Sequence, residues 1–304
     1  IKFFIYTFVG SAILLVAILY MRLQAGSFNI LDFYSLRLDM HTQIMLFIAF
    51  LLAFGIKIPL WPVHTWLPDA HTEAPAGGSV VLAALMLKIG AYGFLRFSIP
   101  IVPDACAALS DVMIVLSLIA IVYVGLIAIA QTDMKKLIAY SSIAHMGFVT
   151  LGCFIIYHII SQQYANYADA YLVLEGAIIQ MVTHAFSSGA MFLAFGLLYQ
   201  QLQTRLIKNF GGIAKVMPYF TAFFVVFAMS NVALPGTAGF VGEFMILMGM
   251  MQASFWLTFI AATTVVIGAV YTLWMVRRVF FGPVVHDQVA KLHDISGMDY
   301  LVFS

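Results

Sequence analysis

Three charged residues stand inside long apolar runs of this chain. Lys57 lies in "LLAFGIKIPLW", Lys88 in "VVLAALMLKIGAYGF" and Glu243 in "GFVGEFMILMG", each with at least six uncharged residues on either side. A charge at the centre of a bilayer opposes insertion by about 2.5–3.5 kcal/mol, so the three together oppose it by roughly 8–10 kcal/mol. Leucine at each place would serve structure alone. Titratable groups retained at that cost are what a proton path through a membrane requires. The purely structural use of the same residues would be a static buried pair, or lysines that snorkel to an interface. Lys88, about 12 residues into its run, reaches mid-depth at about 1.5 Å per residue.

Two histidines extend the set. His145 falls about eight residues into the helix that starts at Leu137, and His184 falls mid-run in "IIQMVTHAFSSGAMF". Histidine titrates near neutral pH and can pass a proton on. Ser141 and Ser142 lie one turn from His145, and Ser187 and Ser188 one turn from His184, so the spacing predicts polar company for both rings. The bland alternative is a histidine packed by a single hydrogen bond. Lys135, at a loop–helix junction, reads as a solvated anchor. Glu175 reads as a structural residue near its helix start, favoured there by the dipole.

Prolines break the chain beside two of these groups. Pro59 and Pro62 follow Lys57, and Pro235-Gly236 precedes Glu243 by eight residues. Proline removes a helical donor and frees a carbonyl. Freed backbone is tolerated at membrane depth only where it is buried in protein or lines a wet cavity. Broken helices carrying titratable residues, twice in one chain, are the pattern of an inverted-repeat transporter, whereas either break alone fits a simple kink. Between the apolar runs that hold Lys57 and Lys88, "WPVHTWLPDAHTEAPAGGS" holds His64, Asp69, His71 and Glu73. Their spacing matches no zinc-helix motif, and Trp61 and Trp66 beside them mark an interface. The chain carries no GxGxxG, P-loop or CxxCH motif. Cys106 and Cys153 form no CxxC pair, which argues against iron–sulfur clusters, structural zinc or a disulfide framework here.

The elements that must position these residues follow from composition. Hydrophobic residues make up 63% of the 304 and charged residues 9%, with a mean hydropathy of +1.03. Soluble domains carry roughly 45–50% apolar and about 25% charged residues, so the chain is an integral membrane protein. Its net charge of +1 excludes a nucleic acid held by bulk electrostatics. Continuous apolar runs without alternation predict an all-α helix bundle rather than a barrel. The runs predict spans near 3–21, 41–60, 76–97, 109–130, 137–157, 172–199, 217–251 and 254–276, with a ninth beginning at Tyr300. The seventh is too long for one straight crossing and is interrupted by "LPGTAG". Loops around 61–75, 131–136, 200–216 and 277–298 then share one side and hold eight positive residues, against three on the other. The positive-inside rule puts the richer side in the cytoplasm. The chain opens within an apolar run and closes as another begins, so it reads as the central piece of a longer protein.

Four blocks carry a resemblance: "KIPLWPVHTWLPDAHTEAPAGGSVVLAALMLKIGAYGFLRF", "QTDMKKLIAYSSIAHMGF", "GAIIQMVTHAFSSGAMFL" and "LPGTAGFVGEFMIL". Together they resemble the antiporter-like membrane subunits of the proton-pumping NADH–quinone oxidoreductase, respiratory complex I. That family includes the L, M and N subunits and the Mrp-type cation/proton antiporter subunits. A glutamate in the broken twelfth helix marks the M type, where the others usually carry lysine, and Glu243 stands at that position. The resemblance implies a fourteen-helix fold with two inverted five-helix repeats and two discontinuous helices. Residues 1–103 would then be an incomplete first repeat, family helices six to eight. Residues 104–283 would be a complete second repeat, helices nine to thirteen, and 284–304 a loop and the start of the last helix.

The resemblance also implies roles. Lys57 would be the lysine tuned by a fifth-helix glutamate upstream of Ile1, and Lys88 the central lysine that passes the proton on. His145 and His184 would line the polar axis, and Glu243 would be the terminal ionisable group. NADH, flavin, iron–sulfur clusters and quinone are expected on partner subunits and no cofactor on this chain. L-type and N-type neighbours and the lipid bilayer are the expected partners, in the inner membrane of a bacterium or a mitochondrion. The competing expectations are an antiporter subunit without redox chemistry and a structural scaffold with static charges.

Overall fold

A computed structural model describes residues 1–161, 167–284 and 286–303. Among them the chain is helical, with no β-strand beyond one isolated bridge, Asp133 to Leu206. Helices α1 (Lys2–Ala25) and α2 (Met40–Lys57) are followed by a short α3 (Trp66–Glu73) and by α4 (Ala76–Ile101), which contains two wider π-type stretches. Then come α5 (Ser110–Ile129), α6 (Met134–Ile160) and α7 (Tyr167–Leu202). Helices α8 (Pro218–Asn231) and α9 (Ala238–Met251) are the two halves of the expected broken span, and α10 (Phe255–Val279) and the short α11 (Met298–Phe303) complete the series. Seven of these are long and apolar enough to cross a membrane.

Burial sorts the helices. Only Gly10, Ala17 and Met21 of α1 are buried, so nearly its whole surface faces outward. Almost every residue of α6 is buried, and α5, α7, α9 and α10 pack around it. Its start is fixed by Asp133, whose side chain accepts from Lys135 N at 2.8 Å and Lys136 N at 3.2 Å. The outer surface carries bare Phe186, Trp256 and Val266, as a lipid-facing belt requires.

The break after α2 keeps its backbone satisfied by a neighbouring side chain. Trp66 Nε1 donates to the Ile56 carbonyl at 2.9 Å. Gly90 of α4 lies against this end of α2. A Cβ there would stand 2.7 Å from Phe54 O and 2.9 Å from Ile58 N, so only glycine lets the lysine-bearing helices approach so closely.

Contacts between loops fix their sides. Lys2 Nζ pairs with Asp69 at 2.9 Å, and Lys135 Nζ donates to Ala74 O at 2.7 Å. Met134 N donates to Arg205 O at 3.0 Å, Ile207 N to Thr132 O at 2.9 Å and Ala214 N to Phe280 O at 3.1 Å. The loops around 61–75, 131–136, 200–216 and 277–298 therefore gather at one end, as the alternation of spans requires. At the other end Tyr34 Oη donates to Arg96 O and Gln43 Nε2 to Asp104, both at 2.8 Å.

Three local expectations are corrected. Lys135 is not a solvated anchor: it is 4% exposed, bonded to Ala74 O and set 5.9 Å from the Phe195 ring. Glu175 lies more than two turns inside α7, which begins at Tyr167, so the helix dipole has little hold on it. The serines near the histidines do not serve the rings. Ser141 and Ser142 donate to Ile138 O and Ser188 to His184 O, because a serine inside a helix finds its own carbonyl one turn back.

Candidate functional site: a buried chain of titratable groups

Four of the five candidate residues meet in the interior, each delivered by a different element. Lys88 comes from α4, just beyond the first π-type stretch, Leu82–Met86. Its Nζ donates to Ala83 O at 2.7 Å, within that widened turn, and lies 2.7 Å from His184 Nδ1 on α7. The His184 ring is tilted 46° to that of His145 on α6, with centroids 5.6 Å apart. His145 Nδ1 lies 2.7 Å from Glu243 Oε1 on α9. Lys88, two imidazoles and a carboxylate thus run across the bundle in series. His145, His184 and Glu243 are 5%, 2% and 3% exposed, so bulk water does not serve these groups.

The partners decide the proton positions. An ammonium has donors only, so Lys88 donates to His184 Nδ1, and neutral His184 then carries its hydrogen on Nε2. A carboxylate only accepts, so His145 donates from Nδ1 to Glu243. His145 Nε2 is then the acceptor side, and Tyr271 Oη stands 3.5 Å from it. With Lys88 protonated and Glu243 ionised, the imidazoles between them hold one proton each.

Sequence reasoning missed three contributors. Gln180 Nε2 donates to Glu243 Oε1 at 2.9 Å, so the same oxygen receives two hydrogen bonds. Gln180 precedes His184 by one turn of α7, and that spacing was the available signal. Tyr271, on α10, had none. Asn231 closes α8 at the break and is 3% exposed. The reach from Gln180 to Glu243 depends on Gly242, where a Cβ would stand 2.7 Å from Gln180 N and Oε1.

Lys57 is not joined to this chain. It ends α2 at the proline break, is partly buried, and has no hydrogen bond or ion pair among the described residues. The loop that suggested a metal separates its candidates. Asp69 pairs with Lys2 and Glu73 is exposed. Buried His71 stacks on Phe192 with centroids 4.3 Å apart. Burial, aided by Lys135, pushes the His71 pKa down to about 3, and burial also lowers that of His64. No cluster of three or more metal-ligating side chains occurs among the described residues.

Residues 1–268 match the family described as "NADH:quinone oxidoreductase/Mrp antiporter, TM". The chain belongs to this family. As a member of the NADH:quinone oxidoreductase/Mrp antiporter family, it is 45% identical to NADH-quinone oxidoreductase subunit M of Rhodobacter capsulatus. That alignment covers 100% of this chain and 59% of the relative. It is 42% identical to NADH-ubiquinone oxidoreductase chain 4 of Marchantia polymorpha, over 99% of this chain and 58% of that one. The chain therefore spans less than two thirds of the length of these relatives. Its fold matches a chain of respiratory complex I from Thermus thermophilus with bound NADH, with a TM-score of 0.88 and 31% identity. The match covers 99% of this chain and 62% of the other. The Mrp complex from Dietzia sp. gives a TM-score of 0.81 at 21% identity, over 93% of this chain and 50% of that one. That likeness concerns the fold alone. This member of the family thus has the all-helical, antiporter-like membrane fold expected from its sequence.

Proposed function

We propose that this chain is the proton-conducting part of an M-type membrane subunit of NADH–quinone oxidoreductase. The observation that carries the reading is the buried series Lys88, His184, His145, Glu243, with heteroatom contacts of 2.7 Å at both ends. The protonated Lys88 gives a proton to His184 Nδ1 and becomes neutral while His184 releases the one on Nε2. His145 accepts at Nε2 and gives up the hydrogen on Nδ1 to Glu243. A proton taken up from one side then recharges Lys88 and Glu243 releases its own to the other, so one enters and one leaves. Each imidazole must then reset its tautomer, which makes the cycle stepwise.

Energy comes from NADH oxidation and quinone reduction on partner subunits, which hold the flavin and iron–sulfur clusters. The subunit sits among other complex I membrane subunits of L and N type, in the inner membrane of a bacterium or mitochondrion. The loops near 61–75, 131–136, 200–216 and 277–298 face the cytoplasm or matrix, by their excess of positive residues. Residues 1–103 and 104–283 are the two repeats, the first incomplete. Lys57 belongs to the first and takes its charge control from a glutamate that precedes Ile1 in the longer protein. Apolar burial favours neutral lysine and a nearby carboxylate favours the charged form, so moving that carboxylate's charge switches the lysine.

Glu243 favours this reading over an antiporter subunit without redox chemistry, because antiporter-type relatives usually carry lysine there. The test is proton pumping by the assembled complex carrying Lys88→Ala, in inverted membrane vesicles at matched assembly. Alanine removes a residue that opposes insertion, so assembly holds. Pumping is expected to fall to the background of the complex's other pathways. Normal pumping would overturn the reading.

A further inference from the structure

The series from Lys88 to Glu243 has one discontinuity. His184 and His145 touch only as rings, 5.6 Å between centroids, and no hydrogen bond joins them. Around this junction lies a gap of about 160 Å³, counting all space between atoms, lined by His145, Gln180, His184, Ser187, Asn231 and Gly239 among others. As the side chains stand, none of it is wide enough for a whole water. Three buried polar atoms in its wall lack any protein partner: His184 Nε2 and both Asn231 Nδ2 and Oδ1. Unpaired buried polar atoms are rare and expensive, and these share one small space. His184 Nε2 is also the nitrogen that must release a proton toward His145.

The wall spans the helix break. Ser230 and Asn231 end α8 and Gly239 begins the first turn of α9, so the gap lies across the helix break. The linking residues include left-handed Ala233, at φ 58°, and Gly236, at φ 95°. A displacement of α8 away from α9 widens the gap without moving Lys88 on α4 or the contact between Glu243 on α9 and His145 on α6.

We propose that Asn231 is a positioning residue for proton transfer. Its amide holds a water that bridges His184 Nε2 to His145 Nε2 when the break opens, and without that water the series does not conduct. An asparagine suits the task because it offers a donor and an acceptor and never titrates. The water accepts the proton of His184 Nε2 as it gives one of its own to His145 Nε2, so it is restored. Asn231 neither gains nor loses a proton. This inference rests on the proton-conducting reading above and names the step that limits it.

The test has two arms, both on the assembled complex. In the first, Asn231→Leu and Asn231→Ser are compared at matched assembly for proton pumping and its H₂O/D₂O ratio. Leucine keeps the volume without polar atoms, and serine keeps a donor and an acceptor. We expect the part of pumping above the background of the complex's other pathways to fall by about tenfold with leucine, the loss of the hydrogen bonds that hold one water. Serine should retain most of it, with an isotope ratio close to that of the unaltered complex. Equal losses in both variants, or none in either, would overturn the role. In the second arm, a density map of the unaltered complex trapped in turnover should show a water within about 3.2 Å of His184 Nε2 and of Asn231. A closed, dry junction in every trapped state would overturn the proposal even if the leucine variant failed to assemble. If Lys88→Ala pumps normally, the proton-conducting reading itself fails. If Lys88→Ala stops pumping and Asn231→Leu does not, only the bridging water fails.

Discussion

Glu243 is the group whose replacement separates a proton carrier from a hydrogen-bonding strut. Its Oε1 accepts from His145 Nδ1 at 2.7 Å and from Gln180 Nε2 at 2.9 Å. Glu243→Gln keeps the length and one acceptor oxygen but removes the charge and the acid. Hydrogen bonds to a charged group contribute about 1.5–3 kcal/mol, against about 0.5–1.5 for neutral ones. The two bonds therefore weaken together by roughly 2–3 kcal/mol, offset in folding because a buried charge no longer needs desolvation. Assembly should change little. Transfer should fall by a hundredfold or so, the lower range for removing a positioned proton-transfer group. Glu243→Asp keeps the acid and shortens the reach by about 1.5 Å. The His145 contact then lengthens toward 4 Å, beyond hydrogen-bond range, and needs an intervening water. The expected order of pumping is unaltered, then aspartate, then glutamine. The assay is dye-reported acidification of inverted vesicles driven by NADH, with quinone reduction measured in parallel and both scaled to assembled complex. Glutamine at or above aspartate would remove Glu243 from the proton path and leave it a structural acceptor.

Lys57→Arg should reduce transfer through this subunit by roughly a hundredfold, leaving the background of the complex's other pathways, since arginine stays charged throughout the accessible pH range and a relay lysine must become neutral; retained pumping would mark Lys57 as half of a static pair. Gly242→Ala forces a methyl to within 2.7 Å of Gln180 N, so α7 and α9 must separate at about 1–3 kcal/mol. Lower thermal stability of the assembled subunit and weaker pumping should appear together. His71 titrates at about 3 when folded, against 6.5 unperturbed. The unfolded chain therefore takes up a proton below pH 6.5 that the folded one refuses until about pH 3. Its contribution to stability is complete above pH 6.5 and declines as the pH falls toward 3. His71→Phe keeps the stacking on Phe192 and should lose less thermal stability between pH 7 and pH 5 than the unaltered protein.

Much of this was legible in the sequence because a bilayer penalises each charge individually. Lys88 and Glu243 stood out for that reason, and the two proline breaks announced discontinuous helices that α2–α3 and α8–α9 reproduce. Apolar runs of span length gave the alternation of loops that the contacts at the Lys135 end confirm. What the sequence hides is which helix faces meet. That His184 reaches Lys88 while His145 reaches Glu243 depends on the rotation of α6 and α7, and nearly all of α6 is buried, so no polar stripe reveals its orientation. Lys135 misled because a lysine at a helix start is ordinarily solvated, whereas here the Ala74 carbonyl and the Phe195 ring receive it. Serine beside histidine misled because the nearest acceptor to a helical hydroxyl is its own backbone. Asn231 and Tyr271 acquire meaning only once three helices converge on one gap and one ring.

The central claim is that these buried charges change during turnover. Infrared difference spectroscopy of the assembled complex, triggered by NADH, reads this directly, because only a protonated carboxyl has the acid C=O stretch. A band of this kind should appear during turnover, vanish in Glu243→Gln and weaken strongly in Lys88→Ala, where the supply to Glu243 is cut. A spectrum in which Glu243 keeps one protonation state through the cycle, or in which its band is untouched by Lys88→Ala, would contradict a proton path from Lys88 through His184 and His145 to Glu243.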